Sequence, residues 1–266
     1  MPQSRVRSLV VSSYGRILRA LYSTRGLPWT VHDEVVRIDP QVRYLVPHEP
    51  EPALFDFLKN TIRPGDVVLD VGAFVGIYAV LAARWSGLQG RVIAFEPTPS
   101  SAALARKHLA FNSLGPERVQ LVEAAVSDRA TRATLHQYDA HAMPYVNSLA
   151  AAVDTDARAV TSDVAVVTID EVCRELKVVP SVIRMDVQGA EIHALRGARE
   201  TIRAASRLSV VVEMHPQCWP AFGIREQDAR DTLRDLGLIA RPLVEGESVF
   251  ARDTHAVLSL ARGSGA

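Results

Sequence analysis

Two acids and a glycine turn stand in an order that could hold a small molecule. Asp70 closes the apolar run Val67 to Leu69, and Gly72, Ala73, Phe74, Val75 and Gly76 follow before a helical run from Ile77 to Trp85. An unbroken apolar run is the pattern of a strand buried on both faces, so Asp70 is expected at a strand tip. The glycines fall where backbone must come close to a ligand or to another strand. Gly90 restarts the chain as a second apolar strand, Arg91 to Phe95, which closes on Glu96 and Pro97. A carboxylate about 20 residues past a glycine turn, at the tip of the next strand, is placed to accept hydrogen bonds from a ribose diol.

The glycine spacing narrows the ligand. A dinucleotide fingerprint, G-x-G-x-x-G, lets a pyrophosphate reach a helix N-terminus, but its second glycine is Phe74 here. A bulky residue there crowds phosphates. D-x-G-x-x-x-G with an acidic first residue suits a ligand with no phosphate and a cationic amino-acid end, and S-adenosylmethionine is such a ligand. On this reading Asp70 acts near the methionine moiety, backbone 72–76 (Gly72, Ala73, Phe74, Gly76) cradles it, and Glu96 holds the ribose. The opposing reading is an ordinary glycine turn with two solvated strand ends.

Further strand tips carry acids. Val119 to Val126 reads as a third strand whose end, Ala124 to Asp128, falls where an adenine would lie; Ala125 would flank it, and Asp128 either reaches an adenine amine or starts the next turn. Ser181 to Met185 ends on Asp186, and Val187-Gln188-Gly189-Ala190-Glu191 turns into a helix with Ile192, Leu195, Ala198 and Ile202 inward. Arg207 to Val212 gives a fifth strand, closing on Glu213-Met214-His215-Pro216. Residues 213 and 215 of an extended segment share a face, so Glu213 could orient His215 as a general base, with Asp186 holding cofactor or substrate. One imidazole and two carboxylates could also hold Mg²⁺ or Mn²⁺. The base reading is preferred, and no metal is expected.

These residues need a scaffold, and 266 residues are enough for one large α/β domain with a full core. Basic and acidic residues balance at 30 each, so no global field draws nucleic acid. The two cysteines, Cys173 and Cys218, have no metal-ligand spacing and argue for a reducing cytoplasm. The longest apolar run, Val71 to Ala83, is about 20 Å as helix, short of the roughly 30 Å of a bilayer core.

Residues 1–32 are expected as a basic arm with Arg5, Arg7, Arg16, Arg19 and Arg25 and no acid; Leu9, Val10, Ile17, Leu18 and Leu21 could line one helix face and lay it on an anionic surface or, the preferred reading, over the site's mouth as a lid. Residues 33–64 are expected as N-terminal strands, within Val31 to Val46 and broken at Pro40, and a helix carrying Leu54, Phe55, Leu58 and Ile62. His48, Glu49 and Glu51 lie where an entering helix could bring them to the cofactor, with solvated loop charge the preferred reading. Thr98 and Pro99 open a helix on which His108 is expected at the surface. Residues 65–260 make the cofactor domain, with a hairpin insertion at 129–170 that carries Tyr138, His141 and Tyr145. Leu238 to Leu243 and Ser248 to Arg252 are expected as an edge hairpin, and 261–266 as a disordered tail.

In this order, DVGAFVGIYAVLAAR, VIAFEP, VEAAVSD, the hairpin insertion, IRMDVQGAEIHALRGA and VVVEMHP resemble the FkbM-type S-adenosylmethionine-dependent methyltransferases over roughly residues 50–252. The resemblance implies a class I methyltransferase fold, a Rossmann-like seven-stranded, mostly parallel sheet with helices on both faces and an antiparallel last strand. It also implies O-methylation of a hydroxylated small molecule, a sugar or polyketide-type natural product, with a homo-oligomer open. The family favours Asn at Phe74 and Glu at Gln188, so the roles of those two side chains do not carry over. A nicotinamide-dependent oxidoreductase is the alternative, opposed by Phe74 and by the lack of a Tyr-x-x-x-Lys pair; a catalytically silent binding protein is another.

Overall fold

The computed structural model describes residues 17–18, 20–137, 147–149, 160–252 and 254–260. In chain order it has β1 (Leu27–Val31), β2 (Glu34–Ile38), α1 (Pro52–Thr61), β3 (Val67–Val71), α2 (Ile77–Trp85), β4 (Arg91–Phe95), α3 (Pro99–Phe111), β5 (Val119–Val122) and β6 (Ala124–Val126). There follow β7 (Thr131–Gln137), β8 (Asn147–Ser148), β9 (Val160–Val167), α4 (Ile169–Leu176), β10 (Val182–Met185), α5 (Glu191–Arg196) and α6 (Arg199–Ala204). The chain closes with β11 (Ser209–Met214), α7 (Glu226–Asp235), β12 (Leu238–Pro242) and β13 (Thr254–Leu260).

Seven strands form the central sheet in the order β12-β13-β11-β10-β3-β4-β5, and β13 alone runs against its neighbours. This is the expected sheet with an antiparallel last strand. The chain leaves β3 toward β4 and β5, then returns on the other side through β10 and β11. Strand order therefore reverses between β3 and β10, the kind of switch point at which open α/β sheets bind ligands.

The strands are apolar on both faces because both are covered. Val68 packs with α1 and α2, through Leu54, Phe55, Leu58 and Val80, while Leu69 and Val71 pack with α4 to α7, through Val172, Leu195, Ile202 and Leu233. α2 follows a left-handed Gly76 (φ 81°) and is buried nearly all round, which its Ala-rich sequence tolerates. α4 begins with a capping box, Thr168 and Glu171 satisfying each other's backbone N–H.

Several boundaries differ from expectation. The first hairpin begins at Leu27, inside the stretch read as the arm, and turns at His32 (φ 52°) and Asp33, so Pro40 lies beyond both strands. Val119 to Val126 is interrupted at Glu123: β5 joins the central sheet, while β6 joins β9, β7 and β8 in a second sheet. Its antiparallel β7 and β9 are the expected insertion. Ser248 to Arg252 is not a strand; β12 pairs with β13 at 254–260, which sits inside the sheet between β12 and β11. Val249 and Phe250 in the connection pack on the core, and their apolar character mimicked a strand.

His108 is buried, not on the surface: Asp39 N–H donates to its Nε2 (3.0 Å), which leaves Nδ1–H to donate to the Val75 carbonyl (2.8 Å). It ties the glycine turn to the end of β2. Arg5, Arg7, Arg16, Arg19, Leu9, Val10, Tyr138, His141, Tyr145 and the tail 261–266 lie outside the described residues.

Candidate functional site

A cavity of about 370 Å³ opens at the tips of β3, β4, β10 and β11. Its floor is the glycine turn. Gly72 and Ala73 both donate their N–H to the Phe95 carbonyl, at 3.0 and 2.8 Å, so the turn is pinned to the tip of β4. Gly72 takes φ 86°, and a Cβ there would stand 1.8 Å from the Asp186 carbonyl oxygen. No side chain fits between the tips of β3 and β10.

Glu96 lines the cavity from β4 and braces the turn: Phe74 N–H donates to its Oε2 and Thr98 N–H to its Oε1, both at 2.8 Å. Burial pushes its carboxyl up to about 7, against the two backbone donors that favour its charge. Ala125, Val126, Leu135 and Leu149 form an apolar wall beside it. Apolar surface for a purine next to an acceptor for a diol fits an adenosine. Asp128 does not share this wall; it pairs with His193 Nδ1 at 3.0 Å. Of its two expected roles, the turn residue is the one its place supports.

Asp70 lies beneath the cavity, not in its lining, at 1 % exposure. Burial raises its pKa, and the Arg184 guanidinium 3.4 Å away opposes that rise. Arg184 also donates to the Gly72 carbonyl (2.7 Å) and to Asp186 Oδ2 (3.0 Å), and its guanidinium lies 5.1 Å from the centre of the Tyr78 ring. Thus Asp70 reaches the glycine turn through Arg184. An arginine inside a four-residue buried strand was the legible signal, since a buried charge must be paired.

The far wall is acidic. Asp186, Glu213 and Glu51 line it. Glu51 sits at the N-cap of α1 in a left-handed conformation (φ 42°) just before Pro52, a placement that costs about 1 kcal/mol or more. It is not a solvated loop charge. Tyr78 O–H donates to its Oε2 (3.2 Å), and His255 Nε2 lies 3.0 Å from its Oε1. Burial would raise its pKa, yet His255, Arg184 and Tyr78 together hold it below the usual range. Burial and the Glu51 charge raise the Tyr78 phenol, so it stays a donor.

His215 departs from its expected role. It is 3 % exposed and absent from the cavity lining. Its Nδ1 donates to Glu191 Oε1 at 2.8 Å, while Glu213 Oε1 stands 3.6 Å from Nε2, so Glu191 orients the ring more closely than Glu213 does. Burial disfavours the charged ring, but Glu191 and Glu213 outweigh it and push the pKa to about 11. A ring that keeps both protons at neutral pH is a poor base. Glu191 is itself fully buried and accepts from Gly189 N–H (2.7 Å) and Trp219 Nε1–H (2.9 Å). Its place at a helix start disguised it as an ordinary first-turn acid.

Residues 70–238 match the family model described as the methyltransferase FkbM domain. No curated protein matches the chain. Among solved structures, the FkbM methyltransferase of Methylobacillus flagellatus KT is 15% identical, over 76% of this chain and 50% of that one, with a TM-score of 0.48; this chain thus spans half its length. An S-adenosylmethionine-dependent O-methyltransferase of Thermotoga maritima is 14% identical, over 85% of this chain and 72% of that one, with a TM-score of 0.48. Fibrillarin of Aeropyrum pernix, in complex with natively bound S-adenosyl-L-methionine, is 14% identical, over 75% of this chain and 68% of that one, with a TM-score of 0.43.

Proposed function

The chain belongs to the FkbM methyltransferase family, and from that premise we propose that it methylates a hydroxyl of a small hydroxylated molecule, a sugar or polyketide-type natural product. The observation that carries the reading is the division of the cavity between an adenosine-fitting half, with Glu96 and the apolar wall, and an acidic half, with Glu51, Asp186 and Glu213. S-adenosyl-L-methionine, the family's donor, supplies a methyl group already activated on a sulfonium. Much of the chain's work is then alignment, worth up to about 7 to 11 kcal/mol. Glu96 accepts from the ribose diol, the 72–76 backbone supports the amino-acid end, and the acidic wall favours the positive charge of the sulfonium, which S-adenosylhomocysteine lacks. Membership of the family removes the nicotinamide-dependent alternative.

A hydroxyl nucleophile must also lose its proton. Glu51 and Glu213 face the cavity and take over the role first expected of His215: as the acceptor oxygen gains the methyl group, its proton passes to one of these carboxylates. A placed base contributes about 10² to 10⁴-fold. Calorimetric titration with S-adenosylhomocysteine tests the donor half, and one-to-one binding is expected. Turnover against a panel of hydroxylated acceptors tests the other half. Glu51→Gln is expected to lose about two to four decades of kcat with unchanged affinity for S-adenosylhomocysteine. Unchanged kcat in both Glu51→Gln and Glu213→Gln would rule out the carboxylate wall as the proton acceptor.

A further inference from the structure

We propose that His255 and Tyr78 are positioning residues that hold the two oxygens of Glu51 at the cavity and so keep that carboxylate as the receiver of the acceptor's proton. The inference rests on the methyltransferase reading, in which a hydroxyl must lose its proton inside the cavity. Tyr78 O–H donates to Glu51 Oε2 at 3.2 Å, and His255 Nε2 stands 3.0 Å from Oε1, so each oxygen has its own neighbour. A carboxylate offers about four lone-pair sites, which leaves room for a substrate hydroxyl. Glu51 and Tyr78 line the cavity, and His255 does not, so it acts through Glu51.

The parts are fixed from both sides. His255 sits on β13 directly opposite Glu213 of β11, and its carbonyl accepts from Leu243 N–H (2.8 Å). Its Nε2 is buried and also lies 3.9 Å from Glu213 Oε2, close to two carboxylates but aligned with neither. Catalytic contacts are often slack in this way and tighten as substrate closes the site. The stretch before Glu51 is tied to the first hairpin: Trp29 Nε1–H donates to the Val46 carbonyl (2.8 Å) and His32 Nε2–H to the Pro50 carbonyl (2.7 Å). From there Glu51 turns inward in its left-handed conformation, and a backbone held so by its surroundings is a recurrent mark of a working residue. A base must also be unprotonated when substrate arrives. Burial opposes that first, and His255, then Arg184 and Tyr78, outweigh it. Asp186 at the tip of β10 and Glu213 on β11 line the same wall and oppose the charge. Arg184 is already committed to Asp70 and Asp186, so the hold on Glu51 itself comes from α2 and β13.

The full chain, with its glutamate carboxyls labelled with carbon-13, is titrated with acid under nuclear magnetic resonance, the Glu51 signal being the one lost in Glu51→Gln. Wild type, His255→Gln and Tyr78→Phe are compared. The expected result is a Glu51 midpoint below that of an ordinary glutamate in the wild type and higher in both variants, with S-adenosylhomocysteine binding retained as the sign of folding. Methyl transfer to the best hydroxylated acceptor of the panel is then followed from about pH 5 to about pH 9. In both variants kcat should fall away toward acid at a higher pH than in the wild type, losing about tenfold for each unit by which the Glu51 midpoint exceeds the assay pH, while KM for the acceptor stays near its wild-type value. A merely structural pair would lower Tm and leave the pH dependence of kcat where it was. A Glu51 midpoint unmoved in both variants overturns the proposal, as does an unmoved acid limb of kcat. If His255→Gln fails to bind S-adenosylhomocysteine, the isosteric Tyr78→Phe decides. A wild type that binds S-adenosylhomocysteine but methylates no acceptor instead overturns the hydroxyl-methylation reading, and the positioning role with it.

Discussion

Replacing Arg184 with methionine keeps an apolar stem and removes a guanidinium that binds Asp70, the Gly72 carbonyl and Asp186. Asp70, 1 % exposed, then has no cation against it within its own ion-pair set. A carboxylate in that position takes up a proton sooner than it stays charged. Holding it neutral at pH 7 costs about 4 kcal/mol, since pH 7 lies about three units above an ordinary aspartate and each unit is worth about 1.4 kcal/mol. This agrees with the roughly 3 to 5 kcal/mol lost when one partner of a buried pair is removed. A domain of this size should fall by about 8 to 16 °C in Tm. The sign with pH follows from the proton count. With Asp70 neutral in the folded chain and charged in the unfolded one, the folded state binds more protons above about pH 4, so the variant weakens as pH rises. Urea denaturation of wild type and variant at pH 5 and pH 7.5 reads the difference, which should be smaller at pH 5 by about 3 kcal/mol. A Tm loss under about 2 °C at pH 7.5, or equal losses at both pH values, would refute the account of Arg184 as the charge that holds the strand tips together.

Glu96, with its carboxyl near 7 in the free protein, should make S-adenosylhomocysteine binding weaken as pH falls below 7, by up to about tenfold per unit, and Glu96→Gln should flatten that profile. Calorimetry between pH 5.5 and 8 checks it, and a pH-independent wild type would contradict the ribose role. In the free protein the same raised carboxyl subtracts stability as pH rises from its ordinary 4.5 to about 7, which thermal melts across that window should register. Gly72→Ala puts a methyl group against the Asp186 carbonyl oxygen and forces a left-handed φ on alanine, so a loss of more than about 3 kcal/mol is expected; a variant as stable as wild type in urea would contradict the close approach.

The donor half was legible because it is local. A strand, a glycine turn, a helix and a second strand are contiguous, and Asp70, Gly72, Gly76 and Glu96 keep a fixed order along them. The acidic half of the cavity is assembled from segments far apart. Glu51 faces inward only because of a left-handed residue before Pro52, a backbone choice with no composition cue. His255 comes to Glu213 through antiparallel pairing of β13 with β11, and that pairing was hidden behind a misplaced strand at 248–252. His215 was found, but its chemistry was not, because the residue that controls it, Glu191, lies on another element 24 positions away. Arg184 stood in plain view inside a buried strand, and the rule that buried charge needs a partner would have drawn Asp70 and Asp186 to it.

The family match begins at Asp70 and ends at Leu238, yet neither limit is a boundary of the fold. Asp70 is the fourth residue of β3, and β13, beyond the far limit, is inserted between two strands of the same sheet. The first hairpin and α1 complete the core on one face and, through Asp39 and His108, steady the turn beneath the donor. Glu51 and His255 come from outside the matched segment as well. On the proposed function, the cradle for the donor thus lies within the matched segment, while one side of the acceptor chamber is furnished by its flanks. A chimaera that exchanged residues 27–62 and 239–260 between two such enzymes would keep the reagent and change the customer.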